Sequence, residues 1–152
     1  METQVETTED GLLPVVQVVS QAAIDLAPTD QAPVVALSGD LGAGKTTFVQ
    51  TLARFLGVTE PVTSPTFVLQ KQYPIEHLRL RALVHMDAYR LEDSSELSTL
   101  GFADLLAQAD HLVCVEWGER VASALPPHTL WLTLTVSPAG IHTIATDQCS
   151  LV

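Results

Sequence analysis

Residues 39 to 46 read Gly39-Asp40-Leu41-Gly42-Ala43-Gly44-Lys45-Thr46, a full match to the pattern G-x-x-x-x-G-K-[ST]. Few short strings restrict a fold so tightly. The glycines free the backbone to curl so that successive N–H groups point inward, an arrangement that suits phosphate oxygens. Lys45 can then reach the β- and γ-phosphates, and the Thr46 hydroxyl can hold Mg²⁺. A helix opening directly after the loop adds the positive end of its dipole to the same anion. Such a loop must join a strand to a helix, and both are written beside it. Pro33-Val34-Val35-Ala36-Leu37 is short, apolar and β-branched, as a strand covered on both faces is. Beyond the loop, Phe48, Leu52, Phe55 and Leu56 recur at helical spacing, with Gly57 as the stop. A nucleotide is therefore expected on Asp40, Leu41, Gly42, Ala43, Gly44, Lys45, Thr46 and Thr47.

The rest of the chain supports an α/β reading. Leu12 to Leu26 carries valines and alanines at helical spacing with Pro14 in its first turn. Thr59 to Thr66 contains Pro61, Ser64 and Pro65 and reads as a stiff polar loop. Phe67 to Tyr73 alternates as an exposed strand, with Leu78 to Met86 as its antiparallel partner. Ser94 to Ala109 is helical but broken near Gly101. Leu112-Val113-Cys114-Val115 is a second buried strand, followed by a short helix to Ala124. Thr129 to Val136 and Ile141 to Thr146 form a hairpin about Ser137-Pro138-Ala139-Gly140, with Trp131 expected in its core. The expectation is one three-layer P-loop NTPase-like domain over residues 1–152. Its central sheet is largely parallel with an antiparallel margin, and residues 1–10 are frayed.

Composition narrows the function. Seven Lys and Arg against 18 Asp and Glu give a net charge of −11. Direct, tight binding of nucleic acid, which needs a basic patch, is disfavoured. No apolar run approaches the ~20 residues that span a bilayer, so no membrane partner is expected. Met1 to Asp10 is acidic, unlike a secretory signal. Cys114 lies in an apolar run and is expected as a buried thiol, which suits a reducing cytoplasm.

Two carboxylates end apolar strands: Asp87 after Leu83-Val84-His85-Met86, and Glu116 after Leu112-Val113-Cys114-Val115. Ligands of open α/β sheets bind beyond those carboxyl ends. Phosphoryl transfer needs an acid near the metal and a group that orients the attacking oxygen. Isolated strand-end carboxylates more often cap or terminate elements, but a phosphate loop in the same small chain favours function. Glu116 and Thr46 are assigned to Mg²⁺, with Asp87 supporting the metal or the water. Thr63-Ser64-Pro65-Thr66-Phe67 places hydroxyls where nucleotide switches cover the γ-phosphate, although an ordinary polar turn fits its composition equally. His85, near Asp87, could serve as a base, but it shares a strand face with Asp87 and reads rather as a core histidine or one standing behind the site. Trp117 is expected to pack over the site.

Taken together, the phosphate loop, Ser64-Pro65-Thr66-Phe67, His85-Met86-Asp87-Ala88-Tyr89-Arg90-Leu91 and Glu116-Trp117 resemble the TsaE family, also called YjeE. The likeness covers residues 33 to 125, and four separated motifs in order are far more specific than one. The resemblance implies a small bacterial ATPase of low turnover, needed to make threonylcarbamoyladenosine in tRNA. It implies ATP and Mg²⁺ as cofactors, and TsaB and TsaD as the proteins that hold the modifying chemistry, with tRNA met only through them. It further implies that Lys45 and Thr46 hold phosphate and Mg²⁺, that the Thr66 loop acts as a switch, and that Asp87 and Glu116 serve the metal and hydrolysis. A small-molecule kinase on the same fold is the alternative, although no Arg-rich lid stands in the sequence. A nucleotide-dependent adaptor without turnover is a third reading.

Overall fold

The computed structural model describes residues 2–63, 65 and 70–151. Among them seven strands form one sheet: β1 (Thr3–Thr7), β2 (Val34–Ser38), β3 (Gln70–Pro74), β4 (Ala82–Asp87), β5 (His111–Glu116), β6 (Leu130–Val136) and β7 (His142–Thr146). Their order across the sheet is β1-β7-β6-β2-β5-β4-β3. The helices are α1 (Leu12–Leu26), α2 (Lys45–Phe55), α3 (Glu96–Thr99) and α4 (Phe102–Leu106), with 3₁₀ segments at Glu9–Gly11 and Gly118–Ala124.

The four central strands, β6-β2-β5-β4, are parallel. A parallel strand is covered on both faces, which explains the unbroken apolar run of β2: Val34, Val35, Ala36 and Leu37 are all fully buried. Alternate side chains feed two cores. Val35, Leu37, Leu112 and Leu130 pack beneath α1 and α2, against Val16, Val19, Phe48 and Leu52. Val34, Val84, Met86 and Val113 pack on the other face against Leu97, Phe102, Leu105 and Val121. Each such Val, Leu or Phe side chain contributes about 1.5–3 kcal/mol of transfer free energy. Three layers follow because neither face of the sheet can be left in water.

Both margins are antiparallel. β3 runs against β4, and β6 and β7 form the expected hairpin, closed by Ser137 N–H donating to the Ile141 carbonyl at 2.9 Å. Helix α1 spans the residues expected of it, and the helical stretch after Ser94 divides at Gly101 into α3 and α4. Of the expected strand from Phe67, residues 67–69 lie outside the described ones, and β3 begins at Gln70.

Two expectations are corrected. Residues 1–10 were expected to be frayed, yet Thr3–Thr7 adds to the sheet edge, from Thr3 opposite Thr146 to Thr7 opposite His142. The Thr3 hydroxyl also donates to the Cys149 carbonyl at 2.7 Å. The strand is polar except for Val5, which packs against the first core, so its sequence carried little apolar signal. Trp131 is not with Leu130, Leu132 and Leu134 in the hairpin's core. Strand alternation turns it to the opposite face, half-buried beside Gly118.

The sheet also sets three segment ends level. In the parallel register Leu37 lies opposite Glu116, and Glu116 lies opposite Asp87. The loop after β2 and both strand-end carboxylates therefore meet at one rim.

Candidate functional site

The loop between β2 and α2 turns through Gly42 at φ 81° and Gly44 at φ 89°, a region that L side chains rarely enter. Gly44 sits so close to the β6–β7 hairpin that an added Cβ would lie 2.9 Å from Val136 Cγ2 and 3.0 Å from His142 Nδ1. Helix α2 begins at Lys45, so the loop amides and the helix N-terminus face the same space. Lys45 is 5% exposed. Its ammonium donates to the carbonyls of Gly39 at 2.5 Å and Asp40 at 2.9 Å. Burial holds its pKa below the usual 10.5, against the upward pull of Glu116, Glu119, Asp87 and Asp40.

Behind the loop, the Thr46 hydroxyl donates to Glu116 at 2.9 Å from Oε1 and 3.2 Å from Oε2. Glu116 is 3% exposed and also accepts a hydrogen bond from His85 Nε2 at Oε2. Asp87, one strand over, accepts the Tyr89 backbone N–H at Oδ1 at 2.9 Å, an Asx turn that bends the chain away from β4. A hydroxyl and carboxylates are hard oxygen donors of the kind Mg²⁺ prefers. Among the described residues no group of three or more His, Cys, Asp or Glu side chains could hold a metal.

The chain leaves β5 through Trp117, the single non-glycine with positive φ among the described residues, at φ 59° and ψ 38°. This left-handed turn swings the indole over the loop, and the Lys45 ammonium lies 3.9 Å from its centroid. Tyr89 packs 5.0 Å from Trp117, and the Arg120 guanidinium lies over both rings. The expectation that Trp117 packs over the site agrees with this geometry.

One open cleft of about 460 Å³ collects most of the predicted residues: Leu41, Gly42, Ala43, Gly44, Lys45, Thr46, Thr47, Asp87 and Glu116. Asp40 is not on its lining, and its backbone carbonyl instead anchors Lys45. Thr66 and Ser64 lie outside the described residues, while their neighbour Pro65 reaches the cleft wall. The loop holding Thr63 is tied to α2, since Gln50 Nε2 donates to the Val62 carbonyl at 2.8 Å. Sequence reasoning did not single out Tyr89 and Arg90, which line the cleft, or Glu119, whose Oε2 accepts the Gly39 N–H at 3.3 Å. Glu119 stands in the first turn of the 3₁₀ segment that follows the left-handed Trp117, so no regular spacing from Glu116 marked it in the sequence.

Fold and loop together define a P-loop nucleotide-binding protein, with the site at the carboxyl ends of parallel strands. Residues 14–142 match the family described as threonylcarbamoyl adenosine biosynthesis protein TsaE, and the chain belongs to that family. It is similar to the tRNA threonylcarbamoyladenosine biosynthesis protein TsaE of Treponema pallidum, 46% identical over 112 residues, covering 73% of this chain and 78% of that one. The protein of the same description from Bacillus subtilis is 43% identical over 101 residues, covering 66% of this chain and 60% of that one. The chain thus spans about three fifths of the Bacillus relative. Among solved structures, Bacillus subtilis YdiB superposes with a TM-score of 0.68 at 26% identity, over 96% of this chain and 84% of that one.

Proposed function

We propose that the chain is the ATP-binding and slowly ATP-hydrolysing component of tRNA threonylcarbamoyladenosine biosynthesis, acting with TsaB and TsaD. The observation that carries this reading is the cluster of Lys45, Thr46 and Glu116 under a phosphate loop in a chain of this family. Lys45 exchanges the carbonyls of Gly39 and Asp40 for β- and γ-phosphate oxygens, and the loop amides bind the remaining oxygens. Thr46 and Glu116 are the residues to hold Mg²⁺, with Asp87 beside them; when bound, the ion neutralises charge on the transferred phosphoryl group. Asp87 orients the attacking water or supports the metal, and the loop that holds Thr66 serves as a switch. Trp117 shields Lys45 from bulk water, which strengthens its field on the phosphate.

The acidity of the chain supports indirect contact with tRNA. A net charge of −11 repels a phosphate backbone, so partner proteins carry the nucleic acid. Among the described residues no helix is long and apolar enough to cross a membrane. The test is Mg²⁺-dependent ATP hydrolysis by the purified chain, alone and then with TsaB and TsaD. Weak hydrolysis that responds to the partners, with modified tRNA formed when all are present, is expected. Stoichiometric phosphorylation of a small acceptor, without any response to the partners, would overturn the proposal in favour of a kinase.

A further inference from the structure

His85 lies on β4, fully enclosed. Its cross-strand neighbour on β5 is Cys114, and the side chain before it on the same face is Leu83. An imidazole in such a place would ordinarily have both ring nitrogens satisfied. Here, among the described residues, Nδ1 has no hydrogen-bond partner, and Nε2 meets Glu116 alone. A residue selected only to fill this layer would be a leucine or valine like its neighbours. The burial of an unpaired ring nitrogen is therefore tolerated for the sake of the single contact that the ring makes.

That contact decides where Glu116 points. A glutamate side chain can adopt several staggered rotamers, and the Glu116 carboxylate is buried, where each oxygen needs a donor. Thr46 supplies one donor from the side of the cleft, and His85 supplies the other from the sheet. Held between them, the carboxylate lies against the Thr46 hydroxyl, and both Thr46 and Glu116 line the cleft. Without His85, half of that restraint is gone, and the carboxylate is free to turn toward solvent.

We propose that His85 is a positioning residue that fixes the Glu116 carboxylate, and through it the Thr46 hydroxyl, for the divalent cation of the nucleotide complex. The inference rests on the Mg²⁺–nucleotide reading of the cleft. Partners that orient a metal-binding carboxylate typically change metal affinity by roughly 10–100-fold when removed. Leu at this position fills the volume and removes the unpaired nitrogen, whereas Gln can again extend an N–H toward Glu116.

The experiment compares the parent chain with His85→Leu and His85→Gln. A fluorescent ATP analogue is titrated in EDTA and at a series of Mg²⁺ concentrations, and thermal melts are recorded alongside. For His85→Leu, a cooperative melt and the parental affinity in EDTA are expected to be retained, while the Mg²⁺ midpoint rises by roughly tenfold or more. His85→Gln is expected to recover most of that loss. A parental Mg²⁺ midpoint in His85→Leu would overturn the role given to His85 while leaving the functional reading intact. So would equal losses in EDTA and in Mg²⁺, or in Leu and Gln alike, because a core defect behaves in that way. Failure of the parent itself to bind nucleotide more tightly with Mg²⁺ would overturn the functional reading and this one with it.

Discussion

Replacing Gly42 and Gly44 separately by alanine tests whether the loop's shape is dictated by its own backbone or by the hairpin beside it. Both glycines have positive φ, 81° and 89°, and a Cβ in that region costs about 1–2 kcal/mol. At Gly42 nothing among the described residues lies within 4 Å of the added Cβ, so Gly42→Ala loses about 1–2 kcal/mol. At Gly44 the same Cβ would meet Val136 Cγ2 at 2.9 Å and His142 Nδ1 at 3.0 Å. Those side chains sit in the hairpin, with His142 buried, and crowding them adds about 1–3 kcal/mol. Gly44→Ala therefore loses about 2–5 kcal/mol in all. With each kcal/mol worth about 2–4 °C in a chain of this size, the added crowding should make the two variants melt about 2–12 °C apart. Thermal melts followed by circular dichroism, without nucleotide, read that gap. His142→Ala added to Gly44→Ala should recover part of the loss through a favourable coupling. Equal melting temperatures for the two glycine variants, or no recovery, would refute the idea that the hairpin braces the loop.

Four further outcomes are expected. Lys45→Ala should lower ATP hydrolysis by at least about 10²-fold, since a buried cation aimed at developing phosphate charge is removed; unchanged turnover would remove the loop from the site. Glu116→Ala should raise the Mg²⁺ needed for half-maximal turnover and, by leaving Thr46 and His85 without their acceptor, lower stability by about 1–3 kcal/mol in urea titrations. Lys45→Met should flatten the stability profile at alkaline pH. Burial puts the folded pKa of Lys45 below 10.5, so between that value and 10.5 the unfolded chain holds more protons and the parent gains stability as pH rises. With a thiol-reactive dye, Cys149 should label in the native protein, while Cys114, fully buried with its pKa pushed well up, should label only on unfolding.

The parts of the fold that were legible in the sequence are those where one physical rule dominates. Val34–Leu37 of β2 and Leu112–Val115 of β5 are unbroken apolar runs because they are covered on both faces, and the phosphate loop is spelled out by glycines that no other residue replaces easily. The meeting of Asp87 and Glu116 at one rim was readable because strand ends in a parallel sheet fall level. β1 was not readable: five residues with one half-buried valine become a strand only because β7 offers an open edge. The face of Trp131 depended on the register of β6, and a one-residue change of register exchanges the two faces. The stack of Lys45, Trp117, Tyr89 and Arg120 depends on the left-handed turn at Trp117, which propensity assigns to glycine or asparagine rather than to tryptophan.

The edge pairing of β1 also constrains the order of events as the protein is made. Thr3 is synthesised well before Thr146, whose carbonyl its hydroxyl contacts 143 positions further along the chain. Closing so wide a loop is entropically slow, and the strand has no site until β6 and β7 have paired. On the ribosome, this strand must wait exposed while the rest of the sheet is translated. Its low apolar content keeps it soluble in that interval, and in the finished protein its amides should be among the first to exchange with deuterium.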